Sequence, residues 1–140
     1  MYDWANSVYS LVISLALFPA YYSAIVPPQV ALLGAEWDRV ALRGYAISLS
    51  YLLIVLLGPL LGGIADARGL KRPFLLAACL AGAACCAGLS GFVAGGVALG
   101  LGLFIAASFF FALADNFYNA TLPDVAPPEL YDRLSARGYM

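Results

Sequence analysis

Three stretches without a single charged side chain dominate this sequence: residues 5–35, 44–65 and 73–114. A helix that crosses a bilayer needs about 20 predominantly apolar residues, and ionisable groups inside a membrane are rare because they are costly. Runs of this length therefore read as membrane spans. The first holds one span, 5–26, closed by Pro27 and Pro28. The second holds one, 44–64. The third is long enough for two, 74–92 and 95–114, divided by Ser90-Gly91 with Gly95-Gly96 just beyond. The expectation is an all-α membrane protein with four transmembrane helices in a single domain over 1–140. The alternation of a membrane β-barrel is missing. Asp3 precedes the first apolar run where a signal peptide would carry Lys or Arg, and that run is too long for a signal core.

Composition narrows the function classes. The chain is 64% hydrophobic and 11% charged, where a soluble domain carries about 25% charged residues. With a net charge of −1, no nucleic-acid surface is expected. Histidine is absent. Cys79, Cys85 and Cys86 lie in an apolar run without metal-ligand spacing or a disulfide framework. No metal or cofactor is expected. No paired-carboxylate motif or nucleophile elbow points to an enzyme.

Basic residues set the expected orientation. The loop 65–73 carries Arg68, Lys71 and Arg72, and the last segment carries Arg133 and Arg137. The first loop carries only Arg39 and Arg43, beside Glu36 and Asp38. The richer side reads as cytoplasmic, which places both ends of the segment there. Residues 121–138 read as an amphipathic cytoplasmic segment. In it, Pro128 suits a first helical turn, Glu129 and Arg133 pair at i,i+4, and Leu130 and Leu134 form an apolar edge.

Small residues recur at four-residue spacing: Ala77, Ala81 and Cys85; Ala78, Gly82 and Cys86; Gly58 and Gly62; Gly96 and Gly100. Such faces let helices approach closely in lipid. Pro19 and Pro59 fall inside spans and are kink candidates.

The stretch GGIADARGLKRP, residues 62–73, concentrates charge between two apolar segments. Gly69 suits a tight reversal. Asp66 stands at a helix C-terminus, where the helix dipole disfavours an acid. It therefore requires a basic partner or the N-terminus of another helix.

Gly62, Asp66, Gly69, Lys71 and Arg72 resemble the loop motif between helices 2 and 3 of the major facilitator superfamily. Ala67 and Leu70 stand where that family has basic residues, with Arg68 adjacent. YDWANSVYS at 2–10 and FPAYY at 18–22 are similar to the start of that superfamily's autophagy-related vacuolar effluxer-like branch. FYNATLPDVAPPE at 117–129 and SARGY at 135–139 resemble the same branch between helices 4 and 5. The basic motif that many facilitators carry in span 4 is missing.

The resemblance implies a secondary active transporter of twelve helices in two halves, of which this chain covers the first four as an N-terminal fragment or truncated product. Such a protein works by alternating access and exports small solutes, amino acids among them. The motif residues Gly62, Asp66, Arg68, Gly69, Lys71 and Arg72 would latch the halves together. Expected partners are membrane lipid, a small-molecule substrate and the remaining helices, with the partner of Asp66 among those helices. Polar groups at the ends of spans 1 and 4, namely Asp3, Asn6, Asp115, Asn116 and Asn119, are the candidate substrate or coupling residues. The alternatives are a small four-helix exporter that oligomerises, which would need an acid absent from span 1, and a non-transporting membrane scaffold.

Overall fold

A computed structural model describes residues 7–32, 34–92 and 96–125. Helix α1 spans Tyr9–Ile25. A hairpin of β1 (Gln29–Leu32) and β2 (Ala35–Asp38) follows. Helices α2 (Arg39–Arg68), α3 (Lys71–Leu89) and α4 (Val97–Val125) complete the described chain. By length and composition α2, α3 and α4 suffice to cross a membrane, and α1 is a shorter apolar helix among the described residues.

The first nine residues of α1, Tyr9–Leu17, are wound as a π-helix before the α-helical part begins at Phe18. Pro19 is the second residue after this stretch. Its ring clashes with the carbonyl four residues earlier and it offers no N–H, so the regular ladder cannot pass through it. The other in-span proline behaves differently, because α2 runs through Pro59 without interruption.

Helices outrun the apolar runs at several ends. Asp38 caps α2 by accepting from Val40 N at 2.8 Å and Ala41 N at 3.1 Å, so the helix starts at Arg39 rather than at 44. Absence of charge marks what lipid covers, whereas a cap marks where the helix begins. α4 likewise continues to Val125, past 114 and into the segment expected to form a separate amphipathic helix. The remainder of that segment, 126–138, lies outside the described residues.

The hairpin is the element least expected from sequence. Its antiparallel register pairs Gln29 with Asp38 and Val30 with Trp37. Gly34, at φ 82°, occupies the turn, a conformation glycine adopts without a Cβ penalty. Val30 is buried between exposed Gln29 and Ala31, the alternation of a strand with one covered face.

α4 is the central helix, packing against both α3 and α2, while α2 and α3 meet only marginally. Two apolar clusters hold the bundle. Near the hairpin, Phe18, Tyr22, Val26, Val30, Leu42, Phe92 and Phe104 pack together, with the rings of Phe18 and Phe104 stacked at 4.0 Å. Near the α2–α3 turn, Ala65, Ala78, Leu113, Ala114 and Phe117 form the second. Of the small faces on α3, Ala78 is buried. A Cβ at Gly82 would meet Phe110 Cβ at 3.5 Å. Ala77 is exposed, so the Ala78–Gly82 face is the one turned toward α4.

Candidate functional site

Polar side chains that are scattered along the sequence converge in a cleft of about 240 Å³ between α1, α2 and α4. α1 contributes Tyr9 and Ser14, α2 contributes Ser50 and Tyr51, and α4 contributes Ser108, Asp115 and Asn116. Phe104 and Phe111 supply aromatic wall. Tyr9 and Ser108 share a hydrogen bond of 2.8 Å between their hydroxyls, tying α1 to α4 across the cleft. The Tyr9 ring lies 4.6 Å from that of Phe111. Ser50 donates to Ala46 O at 2.9 Å, the back-bonding to the preceding turn that satisfies a hydroxyl inside a helix.

At the acidic end of the cleft the polar side chains come from α4. Asp115 and Asn116 are adjacent and both line it. Asn119, one turn on, donates through Nδ2 to Asp115 Oδ2 at 3.3 Å and orients the carboxylate. Gly58 of α2 faces this end, where a Cβ would come 3.7 Å from Asn116 Nδ2. Of the candidates named from sequence, Asp115, Asn116 and Asn119 are thus brought together, while Asp3 and Asn6 lie outside the described residues. Tyr9, Ser14, Ser50, Tyr51 and Ser108 escaped sequence reading. Serines and tyrosines are ordinary in membrane helices, and the lone signal was that these fall inside otherwise apolar spans.

The α2–α3 turn forms the second feature. Gly69 adopts φ 63°, ψ 26° and closes α2, with Gly69 N bonding Asp66 O at 3.2 Å and Leu70 N bonding Ala65 O at 2.9 Å. This is a Schellman closure. It brings α3 back within two residues and sets Lys71 beside Asp66. The Lys71 ammonium lies 3.3 Å from Asp66 Oδ1 and donates to Ala120 O of α4 at 3.2 Å.

Each member of the pair is badly placed for its own helix: Asp66 at a C-terminus, Lys71 at an N-terminus. Set against each other, the two misplacements offset. Within this chain Asp66 thus pairs with Lys71; the partner expected among the remaining helices is a separate matter. Asp66 is 62% exposed, so the ion pair alone contributes about 0–1 kcal/mol. Arg68 and Arg72 are exposed, and Gly62 has open space where a Cβ would stand.

The family described as "Vacuole effluxer Atg22 like" matches residues 1–133. A curated relative from Bacillus subtilis (strain 168), the uncharacterized MFS-type transporter YxiO, is 37% identical over 139 residues, covering 99% of this chain and 32% of the relative. This chain thus spans less than a third of that relative's length. No solved structure matches it.

Proposed function

Because the chain belongs to the vacuole effluxer Atg22-like family of MFS-type, multi-pass membrane transporters, we propose that it supplies four spans of a secondary transporter working by alternating access. Its cleft between α1, α2 and α4 would form one wall of the solute path. The observation that carries this reading is Asp115, an ionisable side chain facing a largely apolar cleft that holds several hydroxyls, from within a long apolar helix. Such a residue is expensive in lipid and marks function by default. The serine and tyrosine hydroxyls beside it offer hydrogen bonds to a polar solute, and the aromatic wall accommodates its apolar part. Small solutes, amino acids first among them, are the substrate class to test. Efflux is the direction that the family resemblance suggests, and the basic 65–73 loop supports placing both segment ends on the cytoplasmic side.

The turn at Asp66 fits a conformational latch that communicates with the cleft. Lys71 grips Ala120 O, just beyond Asp115, Asn116 and Asn119 on α4. A displacement of the 65–73 loop therefore pulls directly on the helix that carries the acid. Gly62, Arg68, Gly69 and Arg72 complete the loop surface toward the remaining helices.

Full-length protein in liposomes tests the reading. Uptake of labelled amino acids under an imposed ion gradient should depend on Asp115, with Asp115→Glu retaining more transport than Asp115→Asn. Undiminished transport by Asp115→Asn at every pH would remove Asp115 from the mechanism.

A further inference from the structure

A second polar feature lies at the opposite end of α2, away from both the cleft and the 65–73 loop. Tyr22 is 2% exposed, and its hydroxyl has no hydrogen-bond partner among the described residues. Buried tyrosine hydroxyls usually find one. Movement does not solve the problem, because the ring is stacked on Phe18 at 5.6 Å and on Phe92 at 6.3 Å. Tyr22, Arg39 and Arg43 line one recess of about 390 Å³, floored by Pro19 and Ser23.

The neighbouring groups divide into committed and uncommitted ones. Asp38 caps α2 through Oδ1. Arg39 uses one Nη to donate to Ser23 O at 2.7 Å and Val26 O at 3.0 Å, closing the free carbonyls at the end of α1. Its other donors have no partner among the described residues, and Arg43 makes no hydrogen bond or ion pair with any of them. Glu36 is exposed on the hairpin. A buried phenolic donor and two guanidinium groups thus line one recess that no carboxylate among the described residues lines.

We propose that this recess is an anion site for a phosphate-type oxyanion, free in solution or carried by a lipid headgroup. Arg43 supplies the charge, Tyr22 a directed hydrogen bond from a fixed ring, and Arg39 the donors left over from capping α1. Guanidinium groups present planar donor forks that match phosphate oxygens. The recess lies between the last turns of α1 and the start of α2, so a headgroup at the membrane surface would have access to it. A ligand there would also bridge α1 to α2 at their joint.

The test uses delipidated full-length protein in an uncharged maltoside detergent. One arm compares sodium phosphate with sodium chloride at matched ionic strength, by thermal midpoint. The other compares dioleoylphosphatidylglycerol with dioleoylglycerol, which lacks the phosphate, by midpoint and by adducts retained in native mass spectrometry. At least one phosphate-bearing probe should stabilise the wild type. Tyr22→Phe and Arg43→Gln should each weaken that response about tenfold, the scale of a lost hydrogen bond to a charged group. Without anion, Tyr22→Phe should melt at or above the wild-type midpoint, because the unpaired hydroxyl is gone and the ring stays, so its lost response is not misfolding. A response to phosphate alone assigns a free anion, and one to phosphatidylglycerol alone assigns a headgroup. No response to either probe, or a response that both variants retain in full, overturns the site.

Discussion

Adding one methyl group at Gly100 and at Gly82 should have opposite consequences, although both glycines belong to small-residue faces of membrane helices. A Cβ on Gly100 would run into the ring of Phe92, touching Cγ, Cδ2 and Cε2 at once. That ring has nowhere to go. Phe92 is 2% exposed, packs against Phe18, Tyr22 and Tyr21, and has its carbonyl held by Tyr21 Oη at 2.9 Å. Overpacking of this kind costs about 1–3 kcal/mol, roughly 5- to 150-fold in the folded-to-unfolded ratio at 1.4 kcal/mol per factor of ten. At Gly82 the nearest atom is Phe110 Cβ at 3.5 Å, an ordinary contact, and alanine's better helix propensity of about 1 kcal/mol makes Gly82→Ala neutral or stabilising. Gly82→Leu, which must place further carbons between α3 and α4, should destabilise. Equilibrium unfolding in mixed micelles by added SDS, read by tryptophan fluorescence, measures all three. Phe92→Leu supplies the control: it costs stability alone, yet should relieve part of the Gly100→Ala penalty, a coupling visible in a double-mutant cycle. If Gly100→Ala is as harmless as Gly82→Ala, or if Phe92→Leu merely adds to it, the contact does not govern packing there.

Lys71→Met removes the bridge between Asp66 and Ala120 O; it should cost stability no more than about 1 kcal/mol while reducing transport by full-length protein in liposomes, and equal losses of folding and transport would make the bridge purely structural. Asp38→Ala deletes two N-cap hydrogen bonds and should destabilise the start of α2 by about 0.5–2 kcal/mol, seen as faster hydrogen exchange at Val40 and Ala41; unchanged exchange would refute the cap. With Cys79, Cys85 and Cys86 replaced by alanine, Leu70→Cys should escape an impermeant thiol reagent on intact cells and react after permeabilisation, whereas labelling from outside would invert the orientation.

The apolar helical segments were legible in the amino-acid order because hydropathy is local and additive. A run without charge is apolar whatever it packs against, and 44–65 and 73–114 declare themselves before any partner is known. The turn at Gly69 was legible for a similar reason, since left-handed backbone beside a charged loop needs glycine. The resemblance to the effluxer branch also rested on short contiguous strings, and its family assignment stands. Helix ends were less legible: Asp38 and the continuation of α4 through Val125 depend on caps and packing that hydropathy does not register. The hairpin was missed because four-residue strands offer too few alternations to stand out in VALLGAEWD. Tertiary structure alone decided the rest. Tyr9 meets Ser108, Ser50 joins their cleft, and Asp115, the one of these that sequence had singled out, faces it because three helices cross there; Tyr9, Ser50 and Ser108 taken singly are unremarked polar groups in apolar runs. Lys71 meets Asp66 because the Schellman turn swings the start of α3 back over the end of α2, and α4 happens to offer a carbonyl within reach. Sequence spacing fixes which residues share one helix face, but which face meets which neighbour is a property of the packed bundle.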